Sequence, residues 1–257
     1  MAMNHKFLRP KGTVSYASLR VGLVAYWPLN ETAPSGDVSA QDWTGRGNTL
    51  TSNNTVPSVT GKIGNGREFV AANTEWLSRA DGADVQLGNS DWTMSAWVYV
   101  PTAANGIQAI IAKDETSPTI RDYSFTVERN SSTSANKFAF NIFYTTVFAG
   151  SVVGPNRSNA DFINRWWFVA ITNSAGVITL YENGSAVTGT GSTPTFTRAG
   201  GSIYNATSAG FTIGRRLISA SLQFTGYVDE VAKWTRALSA NEIARMWNNG
   251  NGIDLRR

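Results

Sequence analysis

"FTGYVDEVAKWTRALSANEIARMWNNG", residues 224–250, places a strand and a helix back to back. Its first half is rich in Val, Tyr, Phe and Trp, the composition of a buried strand. Its second half opens on Ser239-Ala240-Asn241-Glu242, a capping box in which the Ser hydroxyl accepts a first-turn amide hydrogen while Glu242 reaches back. Ile243, Met246 and Trp247 then form an apolar stripe, and "NNGNG" stops it, so one short helix is expected from Ala240 to Trp247. Two acids, Asp229 and Glu230, interrupt the strand. Successive strand residues point to opposite faces, so these two are expected on opposite sides of a sheet.

Upstream, the chain reads as a series of strands. "DWTMSAWVYVP" (91–101) is the clearest: Trp92, Met94, Ala96, Val98 and Val100 alternate with Thr93, Ser95, Trp97 and Tyr99. Bulk on both parities marks a central strand or one lining a concave face. "VGLVAYWPL" (21–29), "REFVAANTEWLSRA" (67–80), "IQAIIAKD" (107–114), "DYSFTVER" (122–129), "KFAFNIFYTT" (137–146), "RWWFVAIT" (165–172) and "AGFTIGRR" (209–216) continue it. In "GVITLYENGSAVTG" (176–189), Asn183-Gly184 between apolar runs signals a two-residue hairpin turn. No repeat of fixed period and no internal linker appears. A single all-β domain of many short strands is therefore expected over residues 21–257, with Trp97, Trp166 and Val228 in its core.

Composition removes several functions. The chain has no cysteine, which excludes disulfides, thiolate metal sites and a cysteine nucleophile. Its only histidine, His5, lies in the N-terminal segment, so a histidine triad lacks material. Nothing approaches the roughly 18 consecutive apolar residues of a membrane span. Residues 1–20 lack the apolar core of a secretory signal and hold Lys6, Arg9, Lys11 and Arg20 without an acid. Removing those 4 from 22 basic residues leaves 18 against 18 acids, so the net charge belongs to this arm. A nucleic-acid protein would spread such charge over a face of its fold. A solvated tail, or an arm docked on a neighbouring subunit, fits better.

The ordered set "GLVAYWPLNE" (22–31), "DWTGRGN" (42–48), "GKIGNGREF" (61–69), "WTMSAWVYV" (92–100), "IIAKD" (110–114), "WWFVAIT" (166–172), "LYENG" (180–184), "FTIGRR" (211–216) and residues 224–252 resembles the laminin G-like jelly rolls of the concanavalin A-like lectin and glucanase fold. That resemblance implies an all-β, two-sheet antiparallel jelly-roll sandwich with one short C-terminal helix, and a calcium site at the Asp of G-x-x-D-E-V, here Asp229, completed by the loop from Asp42 to Asn48. Calcium takes six to eight oxygens, which carboxylates and loop carbonyls can supply. The alternative is that Asp229 caps that same loop, 42–48, by accepting its backbone N–H groups, without metal.

Catalysis is not expected. Glucanases of this fold place their acids two apart on one strand. No E-x-D-x-x-E pattern occurs here, and acids on opposite faces cannot flank one glycosidic bond at the required roughly 5–10 Å. For glycan contact, Trp43, Tyr144, Trp167 and Tyr204 are the candidate rings, lying in loops or beside other aromatics.

Free-standing chains of this type resemble those in tailed-phage genomes. This implies a structural or adhesive protein of the virion, a capsid decoration or tail-associated module reached through the arm, with homo-oligomers and surface glycans as further partners. A carbohydrate-binding module outside the cell is the alternative.

Overall fold

The computed structural model describes residues 16–32, 38–101, 106–115, 120–129, 135–144, 147–188, 195–197, 208–218 and 222–257. In chain order the strands begin with β1 (Leu23–Trp27), β2 (Thr51–Asn53), β3 (Ser58–Thr60), β4 (Asn65–Phe69) and β5 (Trp76–Arg79). They continue with β6 (Trp92–Tyr99), β7 (Gly106–Glu115), β8 (Ile120–Arg129), β9 (Lys137–Tyr144), β10 (Val147–Val153) and β11 (Trp166–Ser174). The last are β12 (Val177–Glu182), β13 (Ser185–Ala186), β14 (Thr195–Thr197), β15 (Gly210–Ile213) and β16 (Gly226–Trp234). Helix α3 (Ala240–Trp247) carries the capping box read from the sequence, with both reciprocal bonds present; α1 (Ala17–Arg20) and α2 (Asn159–Phe162) are single turns.

The strands form two antiparallel sheets. The first runs β13-β12-β11-β6-β16-β4-β3, with β1 on β16 and β14 on β12. The second runs β10-β9-β8-β7-β15-β5-β2. This is the expected two-sheet jelly roll. The Asn183-Gly184 turn joins β12 to β13 with φ of 49° and 81°, the left-handed pair a two-residue hairpin requires. Rings from the two sheets meet between them: Trp27 stacks on Phe211 at 5.1 Å and Trp92 leans on Phe140 at 5.7 Å.

A second apolar cluster covers the outer side of the first sheet. There Trp97, Phe168, Ala232 and Trp234 pack under Ile243 and Met246 of α3, with Leu19, Ile253 and Leu255. Residues 16–20 thus sit on the domain: Trp234 Nε1 donates to Leu19 O at 2.6 Å, and Arg236 Nη2 to Ser18 O at 2.8 Å. The rest of the basic arm, with Lys6, Arg9 and Lys11, lies outside the described residues.

Two expectations about parity are corrected. Trp97 and Val228 are buried as expected, but Trp166 is half-buried on the outer face, because it pairs with Tyr99. Trp167, pairing with Val98, turns inward instead and is only 6 % exposed. The register with β6 decides this, and a strand apolar on both faces does not announce it.

Candidate functional site

The most exposed ring among the described residues stands on the loop after β1. "DWTGRGN" turns tightly with Gly45 and Gly47 at φ of 76° and 82°, conformations that cost a side chain strain. The Asp42 carboxylate holds the turn together from inside. Its Oδ1 accepts from Tyr26 N at 3.2 Å, Thr44 N at 3.0 Å and Thr44 Oγ1 at 2.7 Å, and its Oδ2 from Asn48 N and Nδ2, each at 3.0 Å. Asn48 Nδ2 also donates to Val24 O at 2.9 Å, and its carbonyl accepts the Trp27 indole at 2.6 Å. Arg46 clasps Asp84 through two bonds of 2.9 and 2.8 Å.

Trp43 rides on this frame. Its backbone N–H donates to Tyr26 O at 2.8 Å, so the loop is bound to β1 at the residue that carries the indole. The ring is 42 % exposed and meets Tyr26 edge-on at 6.3 Å. The Arg20 guanidinium lies 5.4 Å from the ring centroid, held there by a 2.7 Å bond to Leu255 O. The indole is thus held half in water on a loop whose backbone is bonded down on both sides of it.

The paired acids of β16 occupy a different place. On one edge this strand pairs with β6 throughout; on the other it pairs with β4 through Gly226–Val228 and with β1 from Val231. Asp229 and Glu230 sit at that handover, in a β-bulge where Glu230 adopts φ of 52°. The bulge breaks the alternation that was expected to separate them, and both are buried. Asp229 Oδ2 accepts from Ile63 N at 2.9 Å and Oδ1 from Glu230 N at 2.8 Å, with Lys62 N adding a third bond. A Cβ at Gly61 would lie 2.6 Å from Asp229 Oδ2, so the loop 61–65 passes too closely for any larger residue. Glu230 accepts a short hydrogen bond from the Tyr26 hydroxyl, and its Oε1 is buried without a partner. Burial raises both acids, Asp229 to about 7 and Glu230 to about 9, the latter helped by the Asp229 charge.

The calcium donor set expected from Asp42, Asn48 and Asp229 does not fit this arrangement. Asp42 spends its oxygens on the loop 42–48, while Asp229 spends its own on the loop 61–65. Both receive N–H hydrogens where a cation would need lone pairs, and Asn48 presents its amide nitrogen to Asp42. Among the described residues no three acidic or histidine side chains gather in a way that could hold a metal. The alternative, Asp229 as the cap of loop 42–48, is also corrected: Asp42 caps that loop itself, and Asp229 accepts the N–H groups of loop 61–65.

Of the two candidate rings whose side chains are described, Trp43 is the exposed one. Trp167 is committed to the core, its Nε1 bonded to Phe162 O at 2.9 Å and its face covered by Arg157 at 4.8 Å. Tyr204 lies outside the described residues, as does the side chain of Tyr144. A row not anticipated from the sequence crosses the outer face of the first sheet: Tyr227 stacks on Tyr99 at 5.1 Å, and Trp166 leans on Tyr99 at 5.6 Å. Its signal was the shared parity of Tyr99 with Trp97. Arg20 was also missed, since it was assigned to the arm.

A two-sheet jelly roll, with its acids buried as structural groups and an aromatic ring displayed on a fixed loop, defines a lectin-type sandwich. The chain belongs to the concanavalin A-like lectin/glucanases superfamily, whose laminin G-type model matches residues 73–244. Among solved structures, it is similar to the binding domain of Paraclostridial Mosquitocidal Protein 1, with a TM-score of 0.68 and 15% identity, covering 90% of this chain and 53% of that one. Domain 4 of AbnA, a GH43 extracellular arabinanase from Geobacillus stearothermophilus, solved in complex with arabinotriose, superimposes with a TM-score of 0.59 and 15% identity, covering 87% of this chain and 97% of that one. The binding domain of Botulinum Neurotoxin DC in complex with SialylT gives 0.65 and 13% identity, covering 88% and 51%. The chain therefore spans about half of each toxin binding domain. At these identities the likeness shows the fold. No curated protein matches the chain.

Proposed function

We propose that this is a non-catalytic carbohydrate-binding domain that uses Trp43 as its stacking platform. The exposed indole on its hydrogen-bonded loop carries the reading. The apolar face of a sugar ring covers such a surface, and the rigid frame lowers the ordering cost of binding. The neighbouring solved structures support it, since one was obtained with arabinotriose and another with SialylT. The buried acids of β16 support the absence of catalysis, because no sugar reaches Asp229 or Glu230 as folded.

Trp43→Ala is expected to weaken glycan binding about 10-fold or more, as measured by calorimetry against a hit from a glycan array. Its melting temperature should stay within about 2 °C of wild type, because the ring is not part of the core. Undiminished binding in a folded variant would remove Trp43 from the site.

We further propose the setting implied by the family resemblance, a phage particle carrying the domain as a capsid decoration or tail-associated module. With residues 16–20 seated on the domain, attachment falls to residues 1–15. Deleting residues 2–15 should leave a folded domain that no longer co-sediments with particles, and retained co-sedimentation would exclude the arm as the link.

A further inference from the structure

The other end of β16 holds a charged group that neither the fold nor the Trp43 site accounts for. Lys233 is 2 % exposed, on the strand side that Val231 shares with the inter-sheet core, while Ala232 and Trp234 face α3. It lines a cavity of about 330 Å³ together with Gln86, Leu87, Ser90, Asp91 and Trp92. That volume suits a monosaccharide-sized molecule and lies at the small end of ligand pockets.

The polar groups around this cavity are unevenly matched. Two acids act on Lys233 through space, Asp84 and Asp122, and each has a closer cation: Arg46 at 2.8 Å from Asp84, and Lys113 at 3.1 Å from Asp122. Asp91 lines the same cavity and accepts from Ala175 N at 2.8 Å. Gln86 gives its amide hydrogen to Asp81 at 2.7 Å, leaving its oxygen toward its surroundings. Among the described residues no hydrogen bond or ion pair is made by Lys233 Nζ. Burial lowers the Lys233 amine to about 8, as expected for an ammonium without a counter-charge in contact. An almost fully buried ammonium without a counter-charge in contact is costly, and one that lines a cavity points to a missing anion.

We propose that this cavity binds a small carboxylate, with Lys233 as its counter-charge. A carboxylate offers two acceptor oxygens and one negative charge, matching one unpaired ammonium. A dianion such as phosphate would meet Asp84, Asp91 and Asp122 with a charge in excess. The acid group of a uronic sugar and that of a simple organic acid share this chemistry. No residue that lines the cavity belongs to the Trp43 loop, and Asp84 lies between the two, bonded to Arg46 and Asn48.

The test is thermal unfolding of the full chain at pH 7 with galacturonate, acetate, galactose or ionic-strength-matched chloride, in wild type and in Lys233→Met. A carboxylate held at about ten times its Kd should raise the wild-type melting temperature by about 3–6 °C. Lys233→Met, which removes an unpaired buried charge and is expected to fold, should show no rise; Trp43→Ala should keep it. A response to galacturonate above that to acetate identifies an acidic sugar, and equal responses a simple carboxylate. As a second readout, acylation of Lys233 at pH 8, quantified by peptide mass spectrometry, should slow at least threefold with galacturonate, while Lys62 and Lys137 react unchanged. Equal shifts with galactose, shifts that persist in Lys233→Met, or no shift with either carboxylate would overturn the proposal.

Discussion

Trp97→Ala is expected to destabilise the domain by about 3–5 kcal/mol, the range for deleting a large buried aromatic ring. For a chain of this size that corresponds to a fall in melting temperature of roughly 6–20 °C. Trp97 is 2 % exposed, although it lies on the outer face of the first sheet and not between the sheets. Phe168 meets it at 5.4 Å, and the Lys62 ammonium covers its ring at 4.9 Å. A Cβ on Gly252 would lie 3.1 Å from its Nε1, so the C-terminal segment closes tightly over it. Little free volume is left for neighbours to collapse into, which places the cost toward the upper part of the range. Trp166→Ala is the internal comparison. That ring sits one row further along the same face, half-buried among Tyr99 and Tyr227, and its loss should cost clearly less. Denaturant unfolding of both variants checks the ordering; equal costs would mean that the second cluster is not a core.

The sequence made some of this architecture legible through local chemistry. Ser239 and Glu242 specify the start of α3 without help from the rest of the chain, and Asn183-Gly184 specifies a turn in the same way. The bulk on both parities of β6 signalled a central strand, and β6 lies between β11 and β16. Long-range facts were harder to read. Trp166 and Trp167 are both aromatic and adjacent, so only the register with Tyr99 and Val98 says which faces inward. Asp229 and Glu230 were assigned to opposite faces by regular alternation, and the bulge at the change of partner from β4 to β1 was not visible in either residue. In the candidate site, Trp43 and Asp42 were singled out together from one loop, but their roles were read separately. The carboxylate takes up backbone hydrogens so that the indole can stand in water, a coupling that depends on β1 passing beneath the loop. Arg20 joins the site through the C-terminal segment, more than 200 residues away, which no local reading can supply.

Stability is expected to fall as pH rises from about 5 to about 9, and Glu230→Gln should remove the upper part of that fall. Asp229 and Glu230 have ordinary values of 3.8 and 4.5 and are raised to about 7 and about 9 by burial. Over the interval between, the folded chain keeps protons that the unfolded chain has released. Folding then takes up protons, and stability is fullest below the ordinary values and declines until each acid ionises in place. Each retained proton gives a slope of about 1.4 kcal/mol per pH unit, or roughly 3–6 °C in melting temperature. Asp229 contributes up to about 7 and Glu230 continues to about 9. Two groups act oppositely, one below this window and one at its upper end. Glu242, lowered to about 2 chiefly by its bonds to Arg236, acts only below the ordinary carboxylate range. Lys233 gives up its proton near 8 in the folded chain, so above that pH its rising contribution offsets the Glu230 slope in both proteins and leaves their difference unchanged. Glutamine keeps the shape of Glu230 and an oxygen for the Tyr26 hydroxyl, and it cannot ionise. The variant should therefore match wild type near pH 5 and exceed it at pH 8–9. Urea unfolding at pH 5, 7 and 9 in both proteins reads the difference directly. A variant curve parallel to wild type would place the retained proton elsewhere, with Glu182 and Asp114 the remaining acids that burial raises.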